Sequence, residues 1–203
     1  MSPASDRIFI DGGAGKIEVV VDRPPETSVR GVALVAHPHP LHGGTLDNKV
    51  VQTLAKTFVG LGYIVLRPNF RGVGRSEGAH DEGRGETEDL LAVLAHARQS
   101  FGEPPVVLAG FSFGAAVQTQ VAQRVKPQRV VLVAPAVGRF ASETVPPDSI
   151  VIHGERDETV PLARVLDWAR PQELPVVVIP GADHFFHLRL NIIRDIVKNS
   201  WRS

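Results

Sequence analysis

Six short apolar runs, each followed by Gly, Pro or His and then by a longer stretch with helical spacing, constrain this chain more than any other feature. They are residues 32–36 (VALVA), 63–66 (YIVL), 106–109 (VVLA), 130–133 (VVLV), 150–152 (IVI) and 176–179 (VVVI). None alternates apolar with polar, so each reads as a strand covered on both faces, the pattern of a parallel sheet. Between them apolar residues recur at helical intervals: Val50, Val51, Leu54, Ala55 and Phe58; Leu90, Leu91, Leu94 and Ala97; Ala116, Val117 and Val121. Pro161 suits the first turn of a further helix through Asp167, and Leu188, Ile192, Ile193, Ile196 and Val197 mark a closing one. The expectation is an α/β chain with a mostly parallel central sheet and helices on both faces. Residues 7–10 and 17–21, separated by DGGAG, predict an antiparallel hairpin at its N-terminal edge.

Composition narrows the classes of function. A chain of 203 residues buries about 70% of its unfolded surface, enough for one core, so residues 1–203 are expected to form a single domain. Lys and Arg total 22 against 22 Asp and Glu, without the basic stripe that neutralises a phosphate backbone; nucleic acid is not an expected partner. The absence of cysteine excludes disulfides, thiolate metal sites and a cysteine nucleophile. The start, MSPASDRIFIDGG, lacks a basic segment followed by an apolar run, and no stretch reaches the roughly 18 apolar residues of a span. A cytoplasmic protein, away from membranes and either a monomer or a small homo-oligomer, is expected.

The chemistry enters at Gly110-Phe111-Ser112-Phe113-Gly114, directly after one predicted strand and directly before a helix. In that context G-x-S-x-G is a nucleophile elbow: the sharp turn strains the serine backbone, the glycines allow close approach, and the hydroxyl emerges at a helix N-terminus. A serine hydroxyl is a weak nucleophile near neutral pH and needs a base oriented by a carboxylate. Two later strand ends carry the candidates, in His153-Gly154-Glu155-Arg156-Asp157-Glu158 and in Gly181-Ala182-Asp183-His184. On the residues alone, Asp157 competes with Glu155, Glu158 and Asp148, and His184 with His187 and His153. Arg156 and the charge-rich segment 81–89 read as solvated surface.

Here the chain resembles the α/β-hydrolase superfamily: HGERDETVP is similar to its HG-x-x-D-x-x-VP segment and GADH to its G-x-x-H segment. AHPHPLHGGTLDNKVV and NFRGVGRSEG resemble segments of its small lidless, esterase-like bacterial members. The resemblance covers essentially the whole chain and implies the α/β-hydrolase fold, with Asp157 as acid and His184 as base beside the Ser112 nucleophile. It also implies a structural role for the R-G-x-G-x-S loop at 71–76. In larger relatives a cap domain follows the strand that here ends at Ala134; only residues 135–149 precede the next strand, so no cap is expected.

An oxyanion needs two preorganised donors, each worth roughly 3–4 kcal/mol. One is expected from the Phe113 N–H, the other from the loop 36–44, where the family's usual His-Gly-x is replaced by His37-Pro38-His39. Pro38 and Pro40 have no N–H, which makes His39 the first choice and Leu41 the second. His37, His39 and His42 also fit a zinc reading, but the stiff prolines between them make their side chains diverge, so no metal and no cofactor is expected. Leu41, Phe111, Phe140 and Phe185, with Phe113 and Phe186, are the expected apolar walls. The resulting expectation is a carboxylesterase acting on a small or exposed ester through an acyl-enzyme; the alternatives are a thioesterase, amidase, peptidase or acyltransferase with the same triad, or a non-catalytic binder.

Overall fold

Because the apolar runs have no polar face, they need covering on both sides, and the sheet supplies that by alternation. The structure, a computed structural model, describes residues 4–25 and 29–201; the first three residues of the leader reading lie outside these. Strands β1 (Ala4–Gly12), β2 (Gly15–Arg23), β3 (Gly31–Ala36), β4 (Tyr63–Pro68), β5 (Val106–Phe111), β6 (Arg129–Val133), β7 (Ile150–Gly154) and β8 (Val176–Ile179) form one eight-stranded sheet in the order β1-β2-β4-β3-β5-β6-β7-β8. Strands β3 to β8 run parallel, while β1 and β2 form the antiparallel hairpin at one edge, with β2 antiparallel to β4.

Alternate strand residues feed two cores. Val32, Leu34, Val106, Leu108, Val130 and Leu132 pack beneath α2 (Arg84–Phe101), α3 (Phe113–Arg124) and α4 (Leu162–Ala169). Ala33, Val35, Val107, Ala109, Val131 and Val133 pack beneath α1 (Lys49–Gly60) and α5 (Leu190–Ser200). Each fully buried Val or Leu contributes about 1.5–3 kcal/mol, so burial on both faces holds the helix layers to the sheet. Two helix starts differ from the sequence expectation. Pro161 is the N-cap of α4 rather than its first-turn residue, and Leu188 precedes α5 in a left-handed, fully exposed conformation (φ 59°).

The segment 81–89 is not the solvated surface its charge suggests. Glu86 and Asp89 are buried. Glu86 accepts hydrogen bonds from the N–H groups of Asp81 and Gly83, both at 2.9 Å, and from His80 Nδ1 at 2.9 Å. Asp89 takes a two-pronged pair from Arg71, both contacts at 2.8 Å. Burial is tolerable because each carboxylate is fully partnered. Arg71 thereby anchors the 71–76 loop to α2, and Ser76 Oγ closes it onto the carbonyl of Asn69 at 2.8 Å and the N–H of Glu18 at 2.9 Å.

Strand order reverses at β3, which has β4 on one side and β5 on the other. Crevices beyond the carboxyl ends of strands at such a switch point gather ligands. Buried Gln118 of α3 spans it, donating to the carbonyls of Leu34 and Ala109, both at 2.9 Å. The β6–β7 connection contains only a short bridge between Val137 and Phe140 and no cap helix.

Candidate active site

Ser112 is the last residue before α3, with φ 55° and ψ −117°. A non-glycine residue there is strained by roughly 1–3 kcal/mol, and the surroundings over-determine it. Its N–H donates to Val133 O at 2.9 Å, while its carbonyl accepts from Ala115, Ala116 and Ala136 at 3.1, 3.2 and 3.1 Å. The flanking glycines are required by space: a Cβ on Gly110 would lie 2.6 Å from the N of Ala115, and one on Gly114 2.4 Å from the carbonyl oxygen of His37.

Two loops past β7 and β8 bring the other candidates to Ser112. They are tied by Arg156 N–H to Ala182 O at 2.9 Å and by Gly181 N–H to Glu155 Oε2 at 2.7 Å. A Cβ on Gly154 would lie 2.6 Å from Ala182 O, so only glycine permits this approach. The result is a line of hydrogen bonds: Ser112 Oγ to His184 Nε2 at 3.0 Å and His184 Nδ1 to Asp157 Oδ2 at 2.7 Å. Asp157 Oδ1 accepts from the N–H groups of Thr159 at 2.9 Å and Val160 at 2.7 Å. An acceptor on the Nδ1 side fixes the imidazole with its proton on Nδ1, leaving the Nε2 lone pair facing the serine.

The competing residues have other partners. Glu155 holds the loop tie, Asp148 faces Arg129 at 3.7 Å, Glu158 is exposed, and His187 pairs with Asp183 at 2.5 Å. His153 makes a structural hydrogen bond, Nε2 to Val160 O at 2.9 Å; burial pushes its pKa down.

A cleft of about 260 Å³ opens above Ser112 and His184, walled by His39, Ala136, Phe140, Val160 and Phe185. Four expected walls are elsewhere. Phe111 is fully buried: strand alternation sends it to the α1/α5 core with Val107 and Ala109, where its ring lies 5.1 Å from that of His184. It supports the imidazole from behind rather than lining the cleft. Leu41 is 72% exposed on a short 3₁₀ turn that faces solvent. Phe113 and Phe186 are likewise buried. Asn48, Arg139 and Thr159, which do line the cleft, are missed by sequence reasoning. Asn48 also caps α1, accepting from Val50 N–H at 2.9 Å; nothing in the local sequence signals its place on the cleft wall.

In the loop after β3, the N–H of Leu41 donates to His39 Nδ1 at 3.2 Å, those of His42 and Gly44 to His39 O at 3.1 and 3.0 Å, and that of Gly43 to Pro40 O at 3.3 Å. Leu41 is therefore committed internally, and of residues 38–44 His39 retains an N–H for a ligand. The Phe113 N–H, in the first turn of α3, has no preceding helical carbonyl to bond. Of the three histidines only His37 diverges, while His39 and His42 meet ring to ring at 4.7 Å, contrary to the expected divergence. His37 turns inward, Nδ1 donating to Pro38 O at 2.6 Å and Nε2 accepting from Phe70 N–H at 2.9 Å, whereas the His39 ring packs on His42, His80, Phe113 and Phe140. Among the described residues no group of three or more His, Cys, Asp or Glu side chains is arranged to hold a metal ion.

Burial holds His37 down to about 4 against the Pro38 carbonyl. Its folded pKa lies below the unfolded value of about 6.5, so the unfolded state binds the proton first. Stability is then complete above about pH 6.5 and falls by roughly 3 kcal/mol as the pH drops to about 4. His37→Asn, unable to titrate, is expected to be less stable at pH 7 but to lose less between pH 6.5 and 4. Urea midpoints across that range measure it, and parallel curves for the two proteins would refute it.

Solved structures reproduce the fold, and one of them is described as lacking a lid. An α/β serine hydrolase without a lid from Xanthomonas campestris superposes with a TM-score of 0.91 at 37% identity, covering 97% of this chain and 93% of its own. An α-β serine hydrolase homologue from Coxiella burnetii gives 0.89 at 40% identity, with 97% of each chain covered. An uncharacterized protein of Rickettsia prowazekii is 33% identical over 199 residues, covering 90% of this chain and 83% of its own. Fold and site together define a lidless α/β serine hydrolase. Residues 33–174 match the family model described as serine aminopeptidase, S33, and the chain belongs to that family of the α/β-hydrolase superfamily. Among the described residues no helix is long and apolar enough to cross a membrane.

Proposed function

We propose that this chain is a cytoplasmic carboxylic-ester hydrolase that cleaves small or exposed esters through an acyl-enzyme. The reading is carried by the continuous line from Ser112 through His184 to Asp157, at 3.0 and 2.7 Å, on the floor of an open cleft. Ser112 Oγ attacks the acyl carbonyl as its proton passes to His184 Nε2, and Asp157 stabilises the resulting imidazolium. The N–H groups of Phe113 and His39 receive the oxyanion. His184 then returns the proton to the departing alcohol, and a water activated by the same imidazole releases the acid. A cleft of about 260 Å³ lies just below the usual range of small-molecule pockets, roughly 300–1,000 Å³, which favours short acyl groups over long lipid chains.

The family's description names aminopeptidases, but recognition of a free α-amine calls for an acidic group near the scissile bond. Among the described residues the cleft wall presents no Asp or Glu, and it carries Arg139, which repels an ammonium. Ester hydrolysis is therefore favoured. In a p-nitrophenyl series from acetate to laurate, turnover is expected to be highest for short chains and to decline with length, and a fluorophosphonate is expected to label Ser112, as located by peptide mass spectrometry. Labelling at another residue, or none with no turnover, would sink the proposal.

A further inference from the structure

Arg139 occupies a position on the cleft wall for which ester hydrolysis as such has no use. The turn bearing it is pinned to the nucleophile: Ala136 N–H donates to Ser112 O at 3.1 Å, Phe140 N–H to Ala136 O at 3.3 Å, and Val137 bridges to Phe140. Gly138, at φ 72°, makes the reversal between them. The Arg139 guanidinium lies 5.8 Å from the centroid of Phe140, so it runs along the ring that forms the wall.

Among the described residues no carboxylate stands within ion-pair distance of Arg139, which is exposed at the mouth of the cleft, whereas the more buried Arg67 and Arg71 are paired with Asp22 and Asp89. Arg139 is, among the described residues, the one permanently charged side chain lining the cleft. Arg164, whose Cδ lies 3.8 Å from where a Cβ on Gly138 would be, backs the same turn with a second cation. The rest of the polar lining reinforces the sign. Asn48 and Thr159 are neutral, and burial, then His80 and His42, then Arg139 itself keep His39 down to about 4. An unpaired guanidinium carried on a pinned turn beside an apolar ring is a ready fork for a planar or tetrahedral anion.

We propose that Arg139 determines specificity in this cleft, and that the preferred substrates are esters bearing an anionic group, a carboxylate or a phosphate, on the part that lies along Phe140. This rests on the ester-hydrolase reading above. A charge-assisted hydrogen bond in a half-open site gives a preference of about tenfold, between the values for exposed and buried pairs.

Two matched pairs test it: p-nitrophenyl hydrogen adipate against p-nitrophenyl hexanoate, with the anion on the acyl side, and 4-acetoxyphenyl phosphate against phenyl acetate, with a phosphate on the alcohol side. Each is measured with wild type, Arg139→Gln and Arg139→Lys. In at least one pair the wild type is expected to favour the anionic ester about tenfold in kcat/KM through a lower KM. Arg139→Gln is expected to abolish that ratio, Arg139→Lys to restore part of it, and added salt to shrink it in the wild type. The pair that responds identifies the side, and with it the anion. Turnover of the neutral esters without any anionic preference, or a preference that survives Arg139→Gln, overturns the assignment and leaves the hydrolase reading standing. Failure of the wild type to cleave any of the four esters removes both.

Discussion

Ser112→Ala is expected to lower kcat/KM for short p-nitrophenyl esters by about 10⁴-fold or more, the range seen when a triad nucleophile is removed and only oxyanion donors and binding remain. The hydroxyl is the atom His184 Nε2 addresses at 3.0 Å. The same position should trade stability for activity. With φ 55° and ψ −117°, residue 112 holds a conformation that glycine adopts without strain. Relief of 1–3 kcal/mol, less the 0.5–1 kcal/mol entropic cost of glycine, makes Ser112→Gly more stable than Ser112→Ala by about 1 kcal/mol. Urea melts beside the kinetics report both effects. A Ser112→Ala protein within tenfold of wild type would place the nucleophile elsewhere.

The second large effect is steric. Gly114→Ala places a Cβ 2.4 Å from His37 O and 2.6 Å from the Ala36 carbonyl, and because both contacts are backbone, no side chain can rotate aside. The start of α3 must withdraw from the end of β3, which carries the Phe113 N–H away from the oxyanion position and disturbs the loop holding His39. A destabilisation of about 3 kcal/mol is expected from the forced overlap, with a loss of about 10² in kcat from a displacement on the order of 1 Å. Gly60→Ala, at the last residue of α1 with open space around it, is the matched control and should be neutral or slightly stabilising. Equal melting midpoints for the two variants would show that the elbow tolerates slack.

These two effects differ in how visible their causes are in the sequence. The elbow is legible because its constraints are local: a strand, a five-residue turn and a helix are contiguous, and the turn forces its own backbone geometry. The strand set was equally legible, since a strand covered on both faces has to be apolar throughout, and all six runs lie within strands. Segment 81–89 misled because charge in sequence signals solvent only when its partners are absent, and Arg71, the partner of Asp89, lies 18 residues away.

The sequence by itself determined the α/β layering, the antiparallel edge, the short β6–β7 connection and the position of Ser112 at a strand–helix junction, all consequences of apolar periodicity and turn chemistry acting over a few residues. The residues alone left Asp157 and His184 with rivals on the same loops, and only the family resemblance singled them out. The tertiary structure decided how they reach the serine, by tying the β7 and β8 loops together so that these two side chains line up on Ser112. It also decided the walls. Phe111 and Phe140 are the same residue type, but the pleat turns one into the core behind His184 while the β6–β7 turn presents the other to the cleft beside Arg139. A side chain's direction at a strand end depends on the register of neighbouring strands, and that is set by packing across the whole sheet.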